Sequence, residues 1–148
     1  AALTAYKSGE RKHPSMRGIA GSLSEQDMAD LAAYYAQHAG KPALADKPNK
    51  APSAAVAALL EKGGCVACHG DNFNTAIDPS YPKLSGQHKD YLYVALKAYK
   101  KGNHVIGRDN AIMAGQVEQF SLGELKQIAN YLGSLDTELA TKPQSRFR

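Results

Sequence analysis

Apolar positions along this 148-residue chain recur at three- and four-residue spacings, with no convincing run of alternation. That pattern predicts helices and no strands. From Pro52 the chain reads PSAAVAALLEKGG, which sets Val56, Leu59 and Leu60 on one face and stops at a glycine pair. SGQHKDYLYVALKAYKKG places Leu92, Leu96 and Tyr99 on a face and ends at Gly102. FSLGELKQIANYLG opens with Ser121 and Glu124 at capping-box spacing, then presents Leu125, Ile128 and Leu132 before Gly133. Between these helices, 70–87 and 102–119 lack a period and read as long loops. Loops of that length in a compact domain usually wrap something or carry function.

The amino-terminal stretch repeats part of this order. LTAYKSG echoes LKAYKKG, and SMRGIAGSLSEQDMADLAAYY aligns without a gap on IMAGQVEQFSLGELKQIANYL. In that register Met16 falls on Met113, Gly18 on Gly115, Ser24 on Ser121, Ala32 on Ala129 and Tyr34 on Tyr131. A helix end, a loop, a methionine and a capped helix in one order read as a duplicated unit. The division expected is a partial unit over 1–40, a linker over 41–52, a complete unit over 53–139 and a tail over 140–148. The linker, with its prolines and lysines, is semi-rigid in composition.

Composition narrows the classes. Apolar residues make up 43%, but Trp is absent and there are three Phe, so an all-protein core would be thin and a bound apolar group would help fill it. Net charge is +4, with seven Lys/Arg against five Asp/Glu in 1–51 and eleven against nine in 52–148. Neither part has the basic stripe of a nucleic-acid reader. No stretch approaches the ~18 apolar residues of a membrane-spanning helix.

Both cysteines of the chain lie in GGCVACHG, two residues apart, with a histidine behind the second. Zinc would need four ligands, and His13, His38, His88 and His104 supply no suitably spaced pair. A redox disulfide would want a βαβ setting and a low-pKa first cysteine at a helix start. The third use employs every residue: two thiols add across the two vinyl groups of haem, and the adjacent imidazole reaches the iron. Cys65, Cys68 and His69 match that C-x-x-C-H pattern. One imidazole leaves a sixth iron position. Met113, in the expected loop just before a capped helix, is the candidate, with its register partner Met16 in support. His88 and His104 are the rivals, and Arg108 with His104 would be the proton-handling groups of a haem enzyme with a displaceable distal ligand.

Cys65, Cys68, His69, the YPKLSGQHKDYL segment, Met113 and the LxxIAxYL helix together resemble the class I c-type cytochromes. The likeness is greatest to the two-domain, dihaem cytochrome c4 type. The resemblance implies an all-α fold of helices around covalently attached haem c, preceded here by a partial second copy. It implies that Cys65 and Cys68 are thioether anchors, His69 the proximal ligand and Met113 the distal one. It further implies that the Pro82 carbonyl accepts the His69 Nδ1–H, that Leu84 presses on the haem edge, and that Tyr91 and Tyr99 pack near it. Met16 would be the distal ligand of a first haem whose CxxCH this chain lacks, and the chain is expected to be the remnant of a longer two-haem protein. The function implied is that of a periplasmic carrier, not an enzyme, passing single electrons between redox proteins such as a membrane-bound oxidase or a dehydrogenase. The alternative is an electron-entry subunit of a larger dehydrogenase. A second copy or a partner chain is expected to cover residues 1–40, and Lys62, Lys83 and Lys89 are candidates for steering an acidic partner.

Overall fold

Ser121 opens the most buried helix of the molecule. Its Oγ accepts from Glu124 N, and the Glu124 carboxylate accepts from Ser121 N at 2.7 Å, which is the capping box expected from the spacing. The computed structural model describes residues 2–37, 47–101 and 108–138. In them run α1 (Ala2–Ser8), α2 (Pro14–Gly21), α3 (Glu25–Gln37), α4 (Ala54–Lys62), α5 (Cys65–His69), α6 (Lys89–Lys101), α7 (Ala111–Glu118) and α8 (Leu122–Leu132). The described residues contain no strand, only an isolated antiparallel bridge between Arg11 and Arg108. The architecture is all-α, as the periodicity predicts. His38, His104 and the tail 140–148 lie outside the described residues.

α8 is the spine of the second unit, with α6 and α4 packed along it. Leu125 and Ala129 have no exposed surface, and Ile128, Tyr131 and Leu132 have almost none. Val56 and Leu60 of α4, Leu92 of α6, Phe73, Phe120 and Leu135 complete the core. Each fully buried leucine contributes roughly 1.5–3 kcal/mol. The far end of the connecting segment is tied to this core: Tyr131 Oη donates to Lys50 O at 2.9 Å, and Asp136 N donates to Asn49 Oδ1 at 2.9 Å.

One element differs from the sequence reading. The stretch 102–119 is not loop throughout, because α7 occupies Ala111–Glu118, and Met113 sits in its first turn. Asn110 Oδ1 accepts from Met113 N at 2.9 Å and starts the helix. α7 is only eight residues long, buries Val117 and exposes Ile112, so its apolar positions do not form a readable face. α2 escapes the pattern for the same reason.

The duplicated register reappears as matched hydrogen bonds. His13 Nδ1 accepts from Met16 N at 3.4 Å, as Asn110 does from Met113 N. Asp27 N donates to Ser24 Oγ at 3.1 Å while Ser24 N donates to Asp27 Oδ2 at 2.8 Å, the counterpart of the Ser121–Glu124 box. The two units meet where Arg11 bridges Arg108 and Asp109 N donates to Glu10 O at 2.9 Å.

Removing the cap and removing core volume should separate cleanly. Ser121→Ala is expected to cost about 1 kcal/mol of stability. Leu125→Ala is expected to cost about 2–5 kcal/mol through transfer and cavity terms. Denaturant unfolding of the full chain, followed by far-UV circular dichroism, measures both; equal losses would deny α8 its central place in the core.

Candidate functional site

α4 ends in a turn at Gly63 and Gly64, which delivers the chain into the single short helix α5. Residues three apart on a helix share a face, so Cys65 and Cys68 point the same way. Both are half-buried and carry free thiols. Burial pushes the Cys65 thiol up from its ordinary value, leaving it protonated at neutral pH. A redox pair works the other way, with a lowered first thiol. The described residues contain no group of three or more His, Cys, Asp or Glu placed to hold a metal ion by themselves.

His69, at the end of α5, is 6% exposed. Its Nδ1 lies 3.0 Å from Pro82 O. A carbonyl only accepts, so Nδ1 carries the proton, and in the neutral ring the free lone pair is on Nε2. Burial lowers the His69 pKa, with the Pro82 hydrogen bond opposing it, so the ring is neutral at neutral pH. A buried, oriented, neutral imidazole with one free nitrogen is a metal ligand in waiting.

The loop 70–87 holds that acceptor in place. Gly70 has φ +76°, and a Cβ there would fall 2.0 Å from Thr75 O, so only glycine fits. Asn72 Oδ1 accepts from Asn74 N and Thr75 N at 2.9 and 2.8 Å, folding the loop back on itself. Phe73 is 2% exposed and adopts φ +55°, a left-handed conformation that is unfavourable for a bulky residue. Three contacts hold it there: its O accepts from Leu84 N and Ser85 N at 2.7 and 2.9 Å, and its ring meets Tyr131 edge-on at 6.3 Å. Pro82 is therefore clamped from the 84–85 side, with the Tyr81 ring 6.2 Å from that of His69.

The residues present fit a covalently bound haem. Leu59, Cys65, Leu84, Tyr93, Leu96, Tyr99 and Met113 pack against the core yet stay partly open, so the core carries apolar side chains at its margin. Asn74, 1% exposed, has an Nδ2 donor with no partner among the described residues. An orphaned buried donor is costly and implies an absent acceptor.

Cys65, Cys68, His69 and Pro82 are thus brought together, while Leu84 and Met113 pack half-buried on the same core. Met16 is half-buried on α2 of the first unit. His88 is exposed at the start of α6. Tyr91 is 43% exposed rather than core, and Tyr99 is half-buried. Arg108 stacks on both tyrosines, with its guanidinium 5.2 and 5.6 Å from their ring centroids. Two of the three lysines are already engaged: Lys83 pairs with Glu138 at 2.6 Å, and Lys62 lies over Phe120 while its Nζ donates to Gln119 O. The first unit presents Ile19, Leu31, Tyr34 and Tyr35 at its surface. Sequence reasoning missed Phe73, Asn74 and Ser85. Asn72 and Asn74 signal a turn, but nothing in the sequence marks a phenylalanine as left-handed.

The cytochrome c family profile matches residues 53–136. A cytochrome c4 of Azotobacter vinelandii is 31% identical over 133 residues, covering 84% of this chain and 61% of the relative. A protein of Stutzerimonas stutzeri strain A1501 named thiosulfate dehydrogenase electron acceptor is 29% identical over 140 residues, covering 90% and 64%. The solved cytochrome c4 of Acidithiobacillus ferrooxidans superposes with a TM-score of 0.64 at 23% identity, over 90% of this chain and 80% of that one, a likeness of fold. The chain spans about three fifths of the length of the cytochrome c4 relative from Azotobacter vinelandii.

Because Gly70 follows His69 directly and admits no Cβ, Gly70→Ala should displace the 70–75 turn and cost at least about 2 kcal/mol. Thermal unfolding against the parent chain measures it. A neutral substitution would show that the loop is not clamped as described.

Proposed function

The chain belongs to the cytochrome c family, whose cofactor is covalently attached haem c, and from that premise we propose that it is a periplasmic electron carrier with His/Met-ligated iron. The observation that carries the reading is local: two free thiols on one face of α5, followed by a buried imidazole whose Nδ1–H is bonded to Pro82 O. When bound, haem supplies a one-electron Fe(III)/Fe(II) couple. Cys65 and Cys68 would hold it through two thioether bonds, an attachment that does not dissociate. His69 would offer Nε2 to the iron, with the ring fixed and made more basic by the Pro82 carbonyl. Met113 would offer a soft thioether as the second protein ligand, which would favour Fe(II) and raise the potential relative to two histidines. Leu84 and the other partly buried apolar residues on the core would shield it from water and keep the dielectric low. Met113 sits in a turn anchored by Asn110, which argues for a fixed distal ligand and against a haem enzyme with a displaceable one.

A redox enzyme is the partner we propose. One relative is named for accepting electrons from thiosulfate dehydrogenase, so a dehydrogenase of that kind is the first donor to try. Lys89 remains a candidate for steering it. Met16 would serve a first haem in the same distal role, and the unit boundaries at 40, 52 and 139 follow from that arrangement.

Haem stoichiometry and optical spectra of the purified full chain test this. One haem that resists acid-acetone extraction is expected, and Cys65→Ser with Cys68→Ser should release it. Met113→Ala should abolish the near-infrared ferric band of an iron–thioether bond, lower the midpoint potential and open the iron to carbon monoxide. A colourless chain sinks the reading. An unchanged spectrum in Met113→Ala would leave haem in place and remove Met113 as its ligand.

A further inference from the structure

α7 carries Met113 in its first turn, yet little apolar packing holds this helix. Its eight residues include one buried side chain, Val117, and a helix of that length is not stable in water on its own. Its two ends are tied instead. At the start, Asn110 Oδ1 accepts from Met113 N at 2.9 Å. At the other end, where the helix dipole is negative, two lysines arrive from different helices. Lys62 of α4 donates to Gln119 O at 3.4 Å, and Lys100 of α6 donates to Glu118 O at 2.5 Å.

The Lys62 tie is mutual. Gln119 Nε2 donates back to Lys62 O at 3.3 Å and, within its own turn, to Gln116 O at 3.3 Å. Lys62 Nζ also lies 5.0 Å from the centre of the buried Phe120 ring. The next residue, Gly63, keeps this turn close: a Cβ there would fall 3.1 Å from both Cys65 Sγ and the Phe120 ring. The end of the methionine helix is therefore fastened beside the first cysteine. Glu124 lies near both lysines and offsets their mutual repulsion. Its pKa is lowered first by the Ser121 N–H and hydroxyl, and then by Lys62 and Lys100.

A lone exposed lysine contributes little by its charge. Here two donors from two helices meet one helix end, and one of them is held by a reciprocal bond. The device recurs in the first unit. Lys7, which matches Lys100 between LTAYKSG and LKAYKKG, donates to Leu23 O at 2.5 Å, just past the end of α2. α2 is the helix of Met16, the register partner of Met113. We propose that Lys62 and Lys100 are positioning residues for the distal ligand: they hold the C-terminal end of α7 and so keep Met113 on the iron. Both act through α7, whose ease of local opening then sets how readily an outside ligand takes the place of Met113. This rests on the His/Met reading above.

Imidazole binding to the ferric, haem-loaded full chain, at fixed pH and room temperature, tests it. Imidazole has to displace Met113, so its apparent affinity reports how often α7 lets go. Lys62→Gln and Lys100→Gln should each bind imidazole roughly two- to fivefold more tightly than the parent, and the double variant more tightly than either. Lys62→Arg and Lys100→Arg retain charge and donor and should stay near parent behaviour. Lys126→Gln, an equal loss of charge at an exposed position of α8, should match the parent. Gln119→Ala removes the reciprocal bond but neither charge. It should move in the same direction as the lysine variants, and it keeps the test open if one of them does not fold. A lower melting temperature with unaltered imidazole affinity would mean a merely structural role and overturns the proposal. So does an equal gain in Lys126→Gln. The His/Met reading fails by a different result: a parent chain without the near-infrared thioether band, or a Met113→Ala chain that binds imidazole no better than the parent. Either one removes Met113 as ligand, and this proposal falls with it.

Discussion

The hydrogen bond from His69 Nδ1 to Pro82 O is the constraint around which the second unit is arranged. A buried imidazole must satisfy one nitrogen and keep the other bare, or it is useless as a ligand. The acceptor has to come from a backbone carbonyl held at a fixed height, and that carbonyl lies in a loop. The loop is therefore suspended at both ends. Gly70 and the Asn72 turn fix its start. At its close, Gly86 N donates to Leu132 O at 2.9 Å, tying it to the end of α8. Phe73, driven into a left-handed conformation, joins the two by accepting from Leu84 and Ser85. Its backbone strain, of order 1–3 kcal/mol, is held by burial against Tyr131.

Charge follows the same economy. The chain is mildly basic, and several of its positive groups are engaged within the fold. Lys83 is neutralised by Glu138, Lys62 lies on an aromatic ring, and Arg11 meets Arg108 at an isolated bridge. When two copies of one element meet antiparallel, equivalent residues face each other, so a single arginine per copy becomes a pair.

Helices α4, α6 and α8 were legible in the sequence because each has a buried face of several turns and a recognisable start or stop. Ser121 and Glu124 announced the cap that the structure contains. α5 and α7 were not legible as helices. Five and eight residues are too few for a periodic face, and Asn110 marks a start only once the following turn is known to be helical. Arg108 was legible as chemistry but not as architecture. The quoted repeat blocks stop short of Arg11 on either side, and register alone does not say that two copies touch.

What the amino-acid sequence determined by itself is the chemistry of a local pattern: two thiols and an imidazole within five residues, set on one face by the helical period. Those relations hold wherever α5 is packed. Tertiary structure brought the Pro82 carbonyl, named by resemblance, to 3.0 Å from His69 Nδ1, 13 residues away, and it alone assembled Arg11 with Tyr91 across 80 residues. It also turned Met113 from a loop residue into a capped helical one. The reason is physical: spacing along a chain dictates neighbours within a turn, whereas distant partners are selected by which apolar faces bury best against one another.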